Sequence, residues 1–264
     1  MEHIITSAQN PLIKRVLQLK DKSRERKKEA CFVVEGLREI ALAAKAGYSF
    51  EKILICPTIF DTNLNTQILN TEKNNVQVSK TVYEKLAHRK TTEGILAIVK
   101  SKPHNLEQFT FKTDKPLILV AEAPEKPGNI GALLRTADAA NLDGVLIANP
   151  KTDLYNPNII RSSVGCLFTT QIGIGSTEEI ISFLKNKAIN ISCAALTASK
   201  NYTTVNFKEA TAIVVGTEAN GLSNTWLNNS DQNIIIPMQG EIDSMNVSVS
   251  AAILIFEAKR QRGF

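Results

Sequence analysis

Three stretches of this 264-residue chain place charged or polar side chains beside glycines, at points where a predicted strand ends. In the first, Gly128 and Gly131 flank the start of a helix, and Arg135 lies one turn beyond Gly131 on the same face. Free N–H groups and the helix dipole at that end attract anions, so this stretch is suited to binding a charged ligand. A surface pair between Arg135 and Asp138 at i, i+3 is the alternative interpretation, and such a pair contributes little.

The second stretch is a buried strand, residues 212–215, that runs into Gly216. Glu218 follows in a loop with a turn signal at Asn220 and Gly221. A glycine at the carboxyl end of a strand allows a ligand to approach the backbone closely. A plain strand-to-turn transition with an exposed glutamate fits the pattern equally well.

The third stretch, residues 234–262, begins with a strand of three isoleucines that stops before Pro237. A polar loop with Ser244 and Asn246 follows, and then a helix capped by Asn246 or Ser248. Most of this helix is apolar on every side, which is typical of a helix buried in a core or a subunit interface. Because the carboxyl ends of parallel strands meet at one edge, we expect the three stretches to converge on one ligand site.

Alternating strand and helix patterns provide the frame for these stretches. In the second half the predicted strands cover residues 117–121, 145–147, 168–172, 189–194, 212–215 and 234–236, with helices at 130–140 and 178–187. This alternation predicts an open α/β domain with a mostly parallel sheet. The first hundred residues predict a smaller α/β unit, and a polar linker with Pro103 and Pro116 separates the two. We therefore expect domains at residues 1–103 and 115–264.

Most of the positive charge lies in the first third of the chain. Residues 1–102 contain 18 Lys and Arg against 11 Asp and Glu, whereas the remainder contain 13 against 15. Residues 14–28 form a helical arm with eight basic and two acidic side chains, beginning at an Asn10-Pro11 cap. Such a stripe is suited to contact with phosphates, although a solvated helix face fits nearly as well.

Composition excludes several classes of protein. Hydrophobic residues make up 43% and charged residues 22%, which is ordinary for a soluble globular protein. The four cysteines lack a C-x-x-C pair, so we expect reduced thiols in the cytoplasm. The three histidines lie far apart and near no cysteine cluster, so no metal site is expected. No apolar run reaches membrane-spanning length and no signal peptide is recognisable, so we expect no membrane partner.

Taken together, the three stretches resemble the motifs of the SpoU (TrmH-like) branch of the SPOUT RNA methyltransferases. The matching sequences are NIGALLRTADA at 129–139, VVGTEANGLS at 214–223 and IPMQGEIDSMNVSVSAAI at 236–253. ITSAQNPLIK at 5–14 and FVVEG at 32–36 are similar to the family's small α/β substrate-binding domain.

The resemblance implies methyl transfer from S-adenosylmethionine to a ribose 2′-hydroxyl of RNA, ribosomal RNA in preference to tRNA. It also implies a homodimer, a trefoil knot in the mostly parallel catalytic domain, and a small N-terminal α/β domain that binds RNA. Backbone contacts to the cofactor fall on Gly216, Ile236 and Met245, where methionine replaces the usual leucine and conserves its volume. The catalytic cluster implied by the resemblance comprises Asn129, Arg135, Glu218, Ser244 and Asn246.

Within that cluster Arg135 is implied to activate the hydroxyl. An arginine stays protonated in proteins, with a pKa above about 12, so we expect a cation that clamps a phosphate and stabilises the alkoxide. A non-catalytic RNA-binding protein of the same fold is one alternative, and the complete polar cluster argues against it. A nicotinamide-dependent oxidoreductase is another, and the missing G-x-G-x-x-G fingerprint disfavours it.

Overall fold

The computed structural model describes residues 4–61, 74–88, 93–197, 199–217, 219–242 and 244–264. The chain divides into two compact units. The first comprises Met1–Pro103 together with Asp153–Phe168, and the second comprises His104–Thr152 and Thr169–Phe264. The first unit thus includes a segment that lies, along the chain, between two strands of the second.

The described residues form ten α-helices and eleven strands, besides two short 3-10 helices at Leu106–Gln108 and Tyr202–Thr204. The helices are α1 (Pro11–Asp21), α2 (Ser23–Glu29), α3 (Leu37–Lys45), α4 (Lys80–Leu86), α5 (Pro127–Ala139), α6 (Pro157–Ser162), α7 (Cys166–Thr169), α8 (Thr177–Asn186), α9 (Asn224–Asn229) and α10 (Val247–Arg262). The strands are β1 (Cys31–Glu35), β2 (Phe50–Ile55), β3 (Asn75–Gln77), β4 (Ile95–Lys100), β5 (Leu117–Glu122), β6 (Gly144–Ala148), β7 (Ile172–Gly175), β8 (Asn190–Ala194), β9 (Lys200–Asn201), β10 (Thr211–Val215) and β11 (Gln232–Ile235).

The first unit contains a mixed sheet in the order β1-β4-β2-β3, antiparallel except for the β2–β3 pair. Its core packs apolar side chains of the sheet against the buried face of α1. The Asn10 side chain accepts a hydrogen bond from the Leu12 N–H (2.9 Å), and Pro11 opens α1, so the predicted helix start is confirmed. The expected single arm is instead two helices, because Lys22 adopts an extended conformation between α1 and α2.

Buried polar and aromatic contacts fix the segment Asp153–Phe168 within the first unit. Arg26 is 5% exposed; its guanidinium pairs with Asp153 and donates to the Leu19 carbonyl oxygen at 2.7 Å. The Tyr155 ring stacks on Phe32 at a centroid distance of 4.2 Å. The Arg26–Asp153 pair and the Phe32–Tyr155 stack join groups more than a hundred residues apart in sequence, so nothing local in the chain indicates them.

The second unit contains a parallel sheet in the order β7-β6-β5-β10-β8-β11-β9. The predicted mostly parallel α/β domain is confirmed, and the knot stays a prediction. The strand predicted at residues 168–172 is wrong, because Phe168 lies in α7 and packs against the Phe32 ring. The observed strand β7 contains Gly173, where a Cβ would lie 2.7 Å from the Leu146 side chain.

The last helix, α10, begins at an Asn246 cap, whose side chain accepts from the Ser248 N–H at 3.0 Å. It packs on α5 and β10 through Ala251, Leu254, Ile255 and Ala258. Its other face is apolar and partly open, with Val249 47% and Phe256 40% exposed. Among the helices of the described ranges, none is long and apolar enough to cross a membrane.

Candidate active site

A cleft of about 570 Å³ opens in the second unit beyond the carboxyl ends of β8, β10 and β11. These strands are parallel, and β8 lies between the other two, so their ends share one edge of the sheet. The cleft is lined by Gly216, Ile236 and Met245, the three positions expected to contact a cofactor. Its volume falls within the range of about 300–1,000 Å³ that is usual for small-ligand sites.

The cleft offers mainly apolar side chains and backbone to a bound molecule. Besides Ile236 and Met245, Leu196, Met238 and Leu254 contribute apolar surface. Among the described residues, the polar side chains of the lining are those of Thr197, Thr217, Asn220, Ser244 and Ser250. A ligand with an apolar body and a few polar groups fits this lining.

The loop after β8 forms a wall that sequence reasoning missed. Ala195, Leu196 and Thr197 line the cleft, and Leu196 is 61% exposed. The strand at residues 189–194 was predicted, and its carboxyl end was a possible signal. Periodicity does not give the order of strands, however, so this loop could not be placed beside the other two.

Gly216 is required by the chain's own backbone. A Cβ at this position would lie 2.2 Å from the carbonyl carbon and oxygen of Gly221 and 2.5 Å from the Leu222 nitrogen. The loop is closed by a pair of backbone hydrogen bonds between Thr217 and Gly221, at 3.0 and 3.1 Å. A larger residue at 216 would therefore displace this loop before it reached any ligand, and its effect on binding would not identify the site.

A buried carboxylate, also missed from the sequence, holds the end of the same loop. Glu122, the last residue of β5, is 7% exposed. It accepts hydrogen bonds from the Ser223 N–H at 2.8 Å, the Ser223 hydroxyl at 2.7 Å and the Thr177 hydroxyl at 3.3 Å. Ser223 is the N-cap residue of α9, so one acidic side chain links β5, α8 and the loop that lines the cleft.

Two of the five candidate catalytic residues contact each other directly. The Asn246 amide nitrogen donates to the Asn129 side-chain oxygen at 3.2 Å, while the Asn246 oxygen caps α10. This bond joins the first turn of α5 to the start of α10. Ser244, two residues earlier, lines the cleft. The first and third sequence stretches are therefore brought together as expected.

Arg135 lies on the exposed surface of α5. It is not among the described residues that line the cleft. Within the described ranges no ion pair joins Arg135 to Asp138, whose carboxylate accepts a hydrogen bond from the Thr169 hydroxyl. The alternative of a surface pair is therefore not what the structure contains. Glu218, the fifth candidate, lies outside the described residues.

Comparison with known proteins relates both halves of the chain to one kind of enzyme. The profile of the SpoU rRNA Methylase family matches residues 116–256, and that of the MRM3-like substrate binding domain matches residues 10–97. A Bacillus subtilis protein, 23S rRNA (guanosine(2553)-2′-O)-methyltransferase RlmP, is 27% identical over 97% of this chain and 98% of its own length. The 23S rRNA (guanosine-2′-O-)-methyltransferase RlmB of Shewanella oneidensis is 32% identical over 70% of this chain and 77% of its own.

Solved structures show the same architecture along nearly the whole chain. The crystal structure of an RNA 2′-O ribose methyltransferase superposes with a TM-score of 0.85 and 37% identity, covering 99% of this chain and all of that one. The AdoMet-bound rRNA methyltransferase from Sinorhizobium meliloti gives a TM-score of 0.89 over 98% of this chain and 97% of its own. Its identity is 23%, so it bears on the fold alone.

Proposed function

The chain belongs to the SpoU rRNA methylase family, and we infer that it transfers a methyl group from S-adenosylmethionine to a ribose 2′-hydroxyl of ribosomal RNA. The observation that carries this inference is the convergence of the three sequence stretches at one edge of the parallel sheet. Gly216, Ile236 and Met245 line a single cleft there, and Asn129 contacts Asn246 beside α10. The substrate-binding profile over residues 10–97 supports RNA as the acceptor.

The cleft fits the cofactor by size and by chemistry. S-adenosylmethionine combines an adenosine with a methionine chain and supplies an electrophilic methyl group on its sulfonium. The apolar walls formed by Ile236, Met238, Met245 and Leu254 suit its adenine and methylene groups. Backbone near Gly216 would form the polar contacts, because few side chains of the lining offer hydrogen bonds.

The remaining residues act on the ribose. Arg135 is cationic, so it cannot take the proton of the hydroxyl; it clamps the neighbouring phosphate and stabilises the developing alkoxide. The proton leaves to phosphate or water. Asn246, fixed as a helix cap, holds the Asn129 amide in one orientation. Asn129, Glu218 and Ser244 orient the guanidinium and the ribose.

The assembly and location follow from the same proposal. The chain acts as a homodimer in the cytoplasm, and the partly exposed apolar face of α10 with Val249 and Phe256 forms part of the dimer interface. Burying such a face against a second copy removes apolar surface from water. Exposed cations of α1, α2 and the bend between them contact RNA phosphates: Lys14, Lys22, Arg24, Lys27 and Lys28.

Substitution of Arg135 tests the proposed chemistry. Removing a hydrogen-bond donor that stabilises a developing oxyanion lowers kcat about 10²–10³-fold, so Arg135→Ala should have an effect of this size. Arg135→Lys should recover little, because it loses the two-pronged grip of a guanidinium. Methyl transfer is measured on ribosomal RNA from cells that lack the gene, and binding of S-adenosylhomocysteine is measured by calorimetry.

The calorimetry should show unchanged affinity in both variants. Lys187→Ala, which removes an exposed cation at the end of α8, is the matched control and should retain full activity. Near-normal turnover by Arg135→Lys would show that charge suffices. Near-normal turnover by Arg135→Ala would remove Arg135 from the mechanism, and failure of the native chain to methylate ribosomal RNA would overturn the choice of acceptor.

A further inference from the structure

A second cavity, of about 340 Å³, lies wholly within the first unit. It is bounded by the carboxyl end of β1, the start of α3 and one side of α6. The residues that line it and carry the argument are Val33, Arg38, Glu39, Pro157, Ile160 and Arg161. The cavity is large enough for one nucleotide and too small for a duplex, and none of its residues belongs to the cofactor cleft.

The cavity combines an apolar floor with a cationic rim. Val33 and Ile160 are both 3% exposed, and Pro157 lies beside them. On the rim, the side chain of Arg38 is 54% exposed and Arg161 is also exposed. An apolar surface with guanidinium groups at its edge suits the face of an unstacked nucleobase and the phosphate attached to it.

Glu39 provides a hydrogen-bond acceptor inside the cavity. The residue is 7% exposed, and its Oε1 accepts from the Arg38 guanidinium at 2.6 Å. No residue of the described ranges donates a hydrogen bond to its Oε2, which lies 2.7 Å from where a Cβ of Gly36 would be. This oxygen can therefore accept hydrogen bonds from N–H groups of a ligand, and hydrogen bonds to a charged acceptor are stronger than those between neutral groups.

The other two carboxylates of the lining are already engaged. Both oxygens of Glu35 accept from the His88 N–H, at 3.0 and 2.9 Å, and Glu93 accepts from the Leu37 N–H. Glu39 is the buried acid of the three, whereas Glu93 is exposed, and Arg38 lies directly beside Glu39. A carboxylate next to a guanidinium presents an acceptor and a donor side by side.

We propose that this cavity binds a guanine base of the RNA; the identification of RNA as ligand rests on the proposed function. Guanine presents two adjacent donors, N1–H and N2–H, which one carboxylate can accept, and acceptors at O6 and N7 that an arginine can donate to. Adenine, cytosine and uracil lack two adjacent donors on that edge. Glu39 reads the donors, Arg38 or Arg161 reads the acceptors, and Val33 and Ile160 contact the base face.

Binding of mononucleotides to the full chain tests the proposal, with the cofactor cleft filled by S-adenosylhomocysteine. NMR titration with GMP should shift the amide signals of residues 36–39 and 158–161. IMP lacks the N2 amino group and AMP lacks both donors, so each should bind about tenfold or more weakly than GMP. This comparison on the native chain requires no variant to fold.

Glu39→Gln should weaken GMP binding about tenfold or more and remove the preference over IMP, because the amide offers only one acceptor. Glu84→Gln, an exposed glutamate on α4 outside the cavity, is the matched control and should bind like the native chain. Arg161→Glu, at the exposed rim, is a second variant that should also weaken GMP binding.

Equal affinity for GMP, IMP and AMP would overturn the proposal, and so would the absence of shifts near residues 36–39. Methyl transfer and S-adenosylhomocysteine binding, measured on the same preparations, separate this result from the proposed function. A chain that methylates ribosomal RNA but does not prefer GMP would refute only the proposed guanine site. A chain that selects GMP but transfers no methyl group would leave the site standing and contradict the function.

Discussion

Removing the carboxylate of Glu122 should both destabilise the second unit and weaken cofactor binding. Glu122 accepts hydrogen bonds from Ser223 at 2.8 and 2.7 Å and a longer one from Thr177 at 3.3 Å. Ser223 ends the loop that begins at Gly216, and the backbone of that loop lines the cleft. Loss of the acceptor would therefore release one wall of the cleft.

The expected magnitude follows from these bonds. A hydrogen bond to a charged group contributes about 1.5–3 kcal/mol, and a buried donor left without a partner costs about 1–3 kcal/mol. Ser223 is itself exposed, so water can replace part of the lost bonding, and the two short bonds place Glu122→Ala at about 3 kcal/mol, the low end for two hydrogen bonds to a charged group. Glu122→Gln keeps one acceptor but turns an amide N–H₂ towards the serine donors, so its cost should be about 2 kcal/mol.

Urea unfolding followed by tryptophan fluorescence measures the first effect. Trp226 is the chain's one tryptophan, is fully buried and lies on α9 directly after Ser223, so it reports on this region. Calorimetric titration with S-adenosylhomocysteine measures the second effect, and affinity should fall about tenfold, equivalent to about 1.4 kcal/mol. Glu178→Gln, an exposed acid on α8, is the control and should change neither quantity.

Two results would refute this reasoning in different ways. If Glu122→Ala changed the unfolding free energy by less than about 0.5 kcal/mol, the size of an ordinary surface substitution, the three bonds would contribute nothing. If stability fell but the folded variant bound S-adenosylhomocysteine normally, Glu122 would hold the fold without positioning the cleft.

Three further predictions concern charge and assembly. Four exposed cations of the arm can be neutralised together: Lys22, Arg24, Lys27 and Lys28. The slope of log RNA affinity against log salt concentration should then become shallower by about 0.7–0.9 per lost phosphate contact. An unchanged slope would mean that these side chains are solvated and do not contact RNA. Asp153→Asn should lower the free energy of unfolding, measured in urea, by about 3 kcal/mol because it leaves the buried Arg26 without its ion-pair partner. Replacing Arg26 and Asp153 together by apolar residues should lower this free energy by less. Phe256→Asp should yield monomers in light scattering, while Ile4→Asp, at another exposed apolar residue, should not; a dimeric Phe256→Asp would place the interface elsewhere.

The sequence by itself determined the kinds of elements and the residues that could do chemistry. Asn10 and Asn246 cap helices as predicted, because a cap depends on residues two or three positions away. The three polar stretches could be expected at one sheet edge because parallel strands present their carboxyl ends together. The local pattern gave a wrong prediction at residues 168–172, where a strand was expected. Phe168 lies instead in helix α7, because its ring packs against Phe32, far away in sequence.

Only the tertiary structure decided which of these residues are available for binding. Arg15 is held by Glu29 and Glu51, and the guanidinium's hydrogen bond lowers the pKa of Glu51, so this cation is structural. Arg26 is buried against Asp153 in the same way. Strand order likewise placed β8 between β10 and β11 and so brought Leu196 into the cleft. Each outcome depends on groups brought together from far apart in the chain, and neither periodicity nor propensity contains that information.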